Sequence, residues 1–269
     1  MNNVQYNLWE KLKKIKKEYL KFGLHKTEDY RKSCMMSVVY HSTKIENCSL
    51  TLKEITALIE RDKTSARKPF RDHLSAYDYY STLLFLEDQS KIKRKVSTEF
   101  ISEVHALSMK NTGVVKKTYL GKTDDSKGDF RLTPARMNKN KDYPDFKNVP
   151  ASIEKVCNTT IEHINNIKGN DVLRLAADLH FRIISIHPFV SGNRRTSRLL
   201  MNYVQLYRDE SLTVIFTEDR EKYVEAINKT EQTNDPEIFR SFICGQQIKF
   251  YEAEIRKITG KKRYKFPDK

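Results

Sequence analysis

The sequence contains few of the residues that mark secreted or membrane-spanning proteins. Only 4 cysteines occur among its 269 residues, and they form no CxxC pair and no regular framework. We therefore expect reduced packing residues in a cytoplasmic protein. No apolar run is long enough to cross a membrane, and the N-terminus lacks the basic-then-apolar pattern of a secretory signal. These absences predict no membrane partner.

Acidic residues are also few relative to basic ones. The chain has 50 Lys and Arg against 35 Asp and Glu, which gives a formal net charge of +15. Such an excess can indicate nucleic-acid binding. Here the lysines are spread along the whole chain, and the two local clusters, at residues 11–17 and 261–265, lie near the termini. We therefore interpret the charge as a solvated surface and expect no specific nucleic-acid partner.

Glycine and proline number only 8 and 7, and six of them fall within residues 111–150. Elsewhere apolar residues recur at helical spacing. Helices are predicted near 5–22, 29–47, 51–60, 68–87, 97–110, 151–167, 171–186, 194–208, 219–229 and 236–258. Within the interrupting segment, residues 128–133 are the best candidate for a short strand. The pattern predicts an all-α fold with a small β-hairpin.

A polar loop separates two strongly apolar predicted helices. Gly192 and Asn193 stand where the second helix begins, and the free N–H groups at a helix start bind anions. Arg195 and Arg198 are three residues apart and share one face of the first turn. Cations are disfavoured at a helix N-terminus, so we expect an anionic partner, most simply phosphate. His187 precedes the loop and could reach that phosphate as a general base.

This loop resembles the signature of the Fic family, His-x-Phe-x-Asp/Glu-Gly-Asn-Gly-Arg-x-x-Arg. The chain matches it at six positions: His187, Phe189, Gly192, Asn193, Arg195 and Arg198. It differs at Ser191, where the family has an acid, and at Arg194, where the family has glycine. The resemblance covers about residues 36–242 and implies a Fic-type helical core.

The resemblance implies a protein adenylyltransferase, which moves AMP from ATP to a Ser, Thr or Tyr hydroxyl of a target protein. The chain itself is one candidate target. His187 would take the hydroxyl proton, and Phe189 would anchor the loop. The glycine-asparagine turn would shape an anion hole, with Arg195 and Arg198 on the β- and γ-phosphates. Residues 111–150 take the place of the family's flap, which binds a target by strand addition. We also consider a homodimer.

A second motif resembles the family's inhibitory helix, Ser/Thr-x-x-x-Glu-Gly/Asn. It matches at Ser42, Glu46 and Asn47, and the first two lie one helical turn apart on the same face. In the family this glutamate pairs with the last arginine of the signature, here Arg198, and denies it to the γ-phosphate. The resemblance thus divides the chain into an N-terminal helical region carrying this motif (1–95), a Fic core (96–250) and a basic C-terminal tail (251–269).

The two departures leave three hypotheses open. The family's acid holds Mg²⁺, and the hydroxyl of Ser191 is a poor substitute for a carboxylate, so ATP is the expected substrate while the expected Mg²⁺ is in doubt. Arg194 adds a cation beside the phosphates. Doc toxins of this family have lysine at that position and transfer the γ-phosphoryl group. The hypotheses are AMP transfer, a Doc-like phosphotransferase, and a degenerate domain that binds nucleotide or protein.

Overall fold

Helices account for most of the computed structural model, which describes residues 3–138 and 141–260. Ten α-helices lie in these two stretches: α1 (Asn3–Lys21), α2 (Glu28–Ile45), α3 (Leu52–Arg61), α4 (Phe70–Lys91), α5 (Thr98–Ser108), α6 (Val149–Ile164), α7 (Asn170–Ile186), α8 (Asn193–Tyr207), α9 (Arg220–Thr233) and α10 (Pro236–Thr259). Each predicted helix is present, so the all-α prediction is confirmed. Within the described residues, no helix is both long and apolar enough to cross a membrane.

Short polar signals set the ends of the helices that carry the inhibitory motif. Asn47 follows α2 with φ 68, the left-handed exit that asparagine tolerates. Thr51 then caps α3, because its hydroxyl accepts from the backbone N–H of Glu54 while the Glu54 side chain accepts from the N–H of Thr51. The direction of the chain after the motif is therefore fixed within five residues.

The helices α7 and α8 form the centre of the core and hold the loop between them. Ile183 of α7 and Leu199, Leu200 and Tyr203 of α8 are fully buried. Helices α4 and α5 pack against α8, while α6 and α10 pack against α7. Packing against several neighbouring helices makes both α7 and α8 rigid supports, so the loop is fixed at each end.

Two small antiparallel hairpins interrupt the helices after α5. Strands β1 (Val115–Thr118) and β2 (Gly121–Asp124) form the first, and β3 (Arg136–Asn138) and β4 (Lys141–Asp142) form the second. The small β-hairpin was predicted, but the strand expected at residues 128–133 was wrong. The Arg131 N–H donates to the carbonyl of Pro188 at 2.8 Å rather than to a neighbouring strand. This segment thus pairs with the loop between α7 and α8.

The last helix packs against the first. Tyr251 and Ile255 of α10 are buried, and the Tyr251 ring lies 4.7 Å from the ring of Tyr19 in α1. The boundary predicted at residue 251 falls inside this helix, because its apolar stripe continues to the contact with α1. Residues 261–269 of the predicted tail lie outside the described part of the chain.

Candidate active site

The loop opens with His187, which ends α7 in a left-handed conformation. Its φ is 53, and its N–H donates to the carbonyl of Ile183 at 3.0 Å. A residue other than glycine adopts this conformation at a cost on the order of 1–2 kcal/mol. Surrounding contacts must therefore hold it there, as is common at functional sites.

Arg131 supplies those contacts. Its Nε donates to the carbonyl of His187 at 2.7 Å, and its Nη2 lies 3.5 Å from the carbonyl of Ile186. The guanidinium is buried, and Nη1 donates to the carbonyl of Thr133 at 2.8 Å. A cation at a helix C-terminus satisfies free carbonyls and is favoured by the helix dipole. Arg131 therefore fixes the backbone from which the predicted base projects.

The imidazole of His187 is covered by the ring of Tyr143. The two rings are nearly parallel, at 16°, with centroids 4.1 Å apart. Burial, followed by the positive charges of Arg131 and Arg194, lowers the pKa of His187 to about 4. At neutral pH the imidazole is uncharged and retains a lone pair, as a general base requires.

Reciprocal hydrogen bonds close the loop. The Asn193 side chain accepts from the N–H of Phe189 at 3.0 Å and donates to the carbonyl of the same residue at 2.9 Å. The Phe189 ring is fully buried and stacks on His105 at 3.5 Å and 2°. Phe189 thus lies where an anchor was expected, and Asn193 acts on the loop backbone.

Gly192 allows α8 to start against α5. Its φ is 70, and a Cβ at this position would lie 2.5 Å from Sδ of Met109 and 3.1 Å from Cε1 of His105. Only glycine fits this approach. Arg194 follows in the first turn of α8 with an exposed side chain, and its guanidinium makes no hydrogen bond among the described residues. An arginine is therefore accommodated where the signature has its second glycine.

Arg195 is tethered to the neighbouring helices. Its Nη1 lies 3.2 Å from Oγ of Ser75 and 3.2 Å from Oγ1 of Thr112, with the carbonyl of Ser108 at 3.5 Å. These partners are neutral, so the positive charge has no compensating carboxylate among them. The guanidinium is thus held beside the helix start by neutral hydrogen-bond partners, while the negative charges of Glu46 and Asp78 attract it.

Arg198 joins α8 to the end of α2. Its Nε donates to Oγ of Ser42 at 2.5 Å, and its Nη2 lies 3.1 Å from the carbonyl of Ser42 and 3.0 Å from Oε1 of Glu46. Arg198 is buried, and its Nη1 has no hydrogen-bond partner within the described residues. The contact between the two predicted motifs is therefore present.

Electrostatics favour this ion pair despite the cost of burial. Although burial opposes charge on both groups, the attraction between them raises the pKa of Arg198 and lowers the pKa of Glu46. A hydrogen bond between charged groups contributes about 1.5–3 kcal/mol. The Glu46 side chain is 31% exposed, and water reduces the value toward the lower end.

Ser191 binds a carboxylate that lies outside the loop. Its Oγ donates to Oδ2 of Asp125 at 2.6 Å, and the N–H of Val114 donates to the same oxygen at 3.1 Å. Oδ1 of Asp125 lies 3.4 Å from Nε2 of His105. Asp125, in the 3₁₀ turn directly after β2, therefore connects the first hairpin, α5 and the loop.

This buried cluster holds one negative charge. Burial opposes ionisation of Asp125, but hydrogen bonds from His105 and Ser191 keep its pKa below the usual value. Burial also lowers the pKa of His105. The ionised Asp125 only accepts, so Nε2 of His105 carries the proton and Nδ1 accepts from Oγ1 of Thr196 at 2.8 Å.

Comparison with known proteins assigns this arrangement. Residues 95–205, from α5 to α8 and including the whole loop, match the model of the Fic/DOC family. These residues are therefore similar to the Fic/DOC family. The Fic signature loop described above lies at its C-terminal end.

Relatives extend the similarity beyond the matched residues. The chain is 26% identical over 228 residues to protein adenylyltransferase fic-1 of Caenorhabditis elegans, covering 82% of this chain and 41% of that protein. It is 26% identical over 195 residues to protein adenylyltransferase Fic of Nematostella vectensis, covering 71% and 42%. The chain spans about two fifths of the length of these curated relatives.

Solved structures show the same fold at low sequence identity. A Fic domain-containing signaling protein from Bacteroides thetaiotaomicron superposes with a TM-score of 0.73 at 20% identity, covering 97% of this chain and 98% of that one. A Fic family protein from Desulfovibrio desulfuricans gives 0.77 at 18% identity, covering 96% and 76%. The Fic helical fold therefore includes the helices that precede α5 and follow α8.

The donor atoms of this Fic loop do not fit a magnesium ion. Magnesium prefers carboxylate oxygens in a near-octahedral shell. Ser191 offers only a hydroxyl, which already donates to Asp125, and both Asp125 oxygens face protein donors. Among the described residues, no group of three or more His, Cys, Asp or Glu could hold a metal.

Three residues of the Fic site were missed in the sequence. Arg131 fixes His187, Tyr143 covers it, and Asp125 binds Ser191. The first lies in the segment predicted as a strand, where its charge gave no sign of a partner 56 residues away. For the other two, no spacing or motif in the sequence indicates the contact.

Proposed function

We propose that this chain is a protein adenylyltransferase, which moves AMP from ATP to a hydroxyl group of a target protein. The observation that carries the proposal is the placement of a neutral His187 beside a helix start that presents Arg195, held by neutral partners, and Arg198, paired with Glu46. The similarity to protein adenylyltransferases of Caenorhabditis elegans and Nematostella vectensis supports the same activity. ATP is the proposed substrate.

The proposed reaction is a displacement at the α-phosphorus. Neutral His187 accepts the proton of the target hydroxyl while the hydroxyl oxygen forms a bond to that phosphorus. The bond between the α-phosphorus and the bridging oxygen breaks, and pyrophosphate leaves with its electron pair. Arg195 and Arg198 stabilise the charge that accumulates on the phosphates, and preorganised donors of this kind supply much of the acceleration in many enzymes.

The flap hairpin is the proposed site for the target backbone. Val115, Tyr119 and Leu120 on β1 and its turn are exposed, at 50%, 91% and 47%. An extended segment of the target could pair with this short hairpin by strand addition. A segment of a second copy of this chain is a candidate target, which would make the reaction a self-modification.

The N-terminal region, residues 1–95, is proposed to restrain the activity through Glu46. Its carboxylate occupies Nη2 of Arg198 at 3.0 Å. The γ-phosphate of ATP would need the same donor, so ATP binds productively only when Glu46 withdraws. A contact of about 1.5–3 kcal/mol changes binding roughly 10- to 150-fold.

The test uses ATP labelled at either the α- or the γ-phosphate. Label from the α-position should enter protein in the Glu46→Gly variant, weakly in the wild type, and not in Glu46→Gly/His187→Ala. Glu162→Gly, at an exposed glutamate of α6, serves as the matched control and should label like the wild type. Absence of α-label in the Glu46→Gly variant, with several candidate targets added, contradicts the proposal.

A Doc-like phosphotransferase is the second candidate, and Arg194 is the observation that favours it. Its exposed guanidinium makes no hydrogen bond among the described residues, and its charge helps to lower the pKa of His187. Such a cation could draw the nucleotide into the reversed orientation. Label from the γ-position alone would support this candidate. Binding of ATP without transfer of either label would support a degenerate nucleotide-binding domain.

A further inference from the structure

Asp125 brings a carboxylate to the signature loop from outside the loop. It is only 1% exposed. One oxygen accepts from Ser191 and from the N–H of Val114, and the other faces Nε2 of His105. Three donors therefore surround it, so the carboxylate is a built part of the interior rather than a group free to bind a ligand.

A carboxylate at position 191 is incompatible with this arrangement. The Ser191 oxygen lies 2.6 Å from the Asp125 oxygen, which requires one of the two groups to donate a proton. Two carboxylates at this separation cannot both be ionised. The hydroxyl of Ser191 satisfies Asp125, whereas an acid at 191 would repel it.

The phosphate side of the loop carries three arginines. The Arg194 side chain is exposed and makes no hydrogen bond among the described residues, and Nη1 of Arg195 donates to neutral oxygens. Arg198 forms an ion pair with Glu46. Once Glu46 withdraws, three guanidinium groups lie within two turns of one helix start, and arginine binds phosphate through paired N–H donors.

We infer that this loop binds the phosphates of a nucleotide through its arginines without a magnesium ion, because Ser191 replaces the signature's acid and the nearby Asp125 carboxylate is occupied by donors of the protein. Asp125 is a positioning residue in this arrangement. The inference takes from the proposed function only that the ligand is ATP. It assigns the charge compensation that magnesium usually supplies to Arg194.

The first experiment measures ATP binding by calorimetry in full-length chain carrying Glu46→Gly. The dissociation constants measured with about 5 mM Mg²⁺ and with EDTA should agree within about threefold. In EDTA, Arg194→Gly should weaken binding about tenfold or more. Lys222→Gly, at an exposed lysine of α9, is the matched control and should leave binding unchanged. Binding that needs Mg²⁺, or no binding in either buffer, overturns the inference.

The second experiment exchanges the two side chains in the same background. Ser191→Asp alone should lower the melting temperature, and Asp125→Asn added to it should restore the loss, because the amide can donate to the new carboxylate. Only the double variant should bind ATP more tightly with Mg²⁺, by about tenfold. A Ser191→Asp variant that keeps its melting temperature and gains Mg²⁺-dependent binding contradicts the inference. If the variants do not fold, the first experiment still decides.

The outcomes separate this inference from the proposed function. Metal-independent binding without transfer of α-label rejects the adenylyltransferase and retains the inference. Transfer of α-label by a protein that binds ATP only with Mg²⁺ does the reverse.

Discussion

At the residue scale, the position of His187 depends on one buried guanidinium. Arg131 contacts the carbonyls of Ile186, His187 and Thr133, and no carboxylate is among these hydrogen-bond partners. Its positive charge is instead matched to the negative end of α7. The left-handed residue and the arginine that satisfies its carbonyl thus form a single local unit.

We expect Arg131→Met to destabilise the fold by about 3 kcal/mol, because it leaves several buried carbonyls without donors. Urea denaturation would measure the change in the free energy of unfolding. Arg136→Met is the matched control, since the Arg136 side chain is 74% exposed and its loss should change stability by less than about 0.5 kcal/mol. Similar losses in the two variants would show that Arg131 has no special role.

The pH dependence of AMP transfer should reflect His187. Its pKa is lowered to about 4, so the base is neutral above that value and protonated below it. In the Glu46→Gly variant, the titration of His187 should therefore leave kcat/KM unchanged between about pH 5 and 7. The value of kcat/KM should fall as the pH drops through about 4. Circular dichroism at each pH would exclude unfolding as the cause.

Removing the cover of the imidazole gives a comparison within the same site. Tyr143→Ala exposes His187, so its pKa should rise toward the ordinary value of about 6.5. The acidic limb of the profile should then shift upward by one unit or more. An unchanged limb would show that Tyr143 does not set the protonation of the base.

At the element scale, α2 is held to α8 by two side chains of unequal charge. Ser42 and Glu46 both contact Arg198, and the first is fully buried while the second is partly exposed. The two contacts share one guanidinium, so their energies should not add.

Ser42→Ala should therefore release the restraint in part. Loss of one hydrogen bond contributes about 1 kcal/mol, which corresponds to a roughly fivefold increase in α-label transfer over the wild type. The Ser42→Ala/Glu46→Gly double variant should transfer no faster than Glu46→Gly alone. A further gain in the double variant would show that Ser42 affects transfer by a route other than the contact between Glu46 and Arg198.

The helices and the signature residues could be predicted because their signals are local. The capping box at Thr51 and the left-handed exit at Asn47 each lie within a few residues of the helix end that they set. The contact between Ser191 and Asp125 joins positions 66 residues apart, and no local pattern encodes it. Without this contact, the sequence alone did not explain why Ser191 stands where the signature has an acidic residue.

The strand expected at residues 128–133 failed for a related physical reason. Gly128 has φ 75, and a Cβ there would lie 2.2 Å from the carbonyl oxygen of Ser102, so the segment turns tightly against α5. Its backbone donors then pair with the signature loop, as the Arg131 N–H does with Pro188. Strand propensity was overruled by a tertiary contact.

At the scale of the whole molecule, α1 closes the core against α7 and α10. Trp9, the only tryptophan, is buried, and the guanidinium of Arg174 in α7 lies 3.9 Å from its ring centroid. Ile15 of α1 is also fully buried. The N-terminal helix is thus part of the same core as the signature loop's supporting helices.

We expect α1 to unfold together with the rest of the protein. Tryptophan fluorescence and far-UV circular dichroism should give coincident urea transitions, because burial joins α1 to the shared core. Ile15→Ala should shift both transitions equally, by about 2–4 kcal/mol. An earlier fluorescence transition would show that α1 undocks independently.

Under the proposed function, two groups compete for the guanidinium of Arg198: the Glu46 carboxylate of the chain itself and the γ-phosphate of ATP in solution. Thermodynamic reciprocity then requires that whatever factor Glu46 takes from the affinity for ATP, bound ATP takes from the docking of α2. The proposed restraint would therefore respond to the concentration of ATP, because bound ATP would displace the end of α2 from α8.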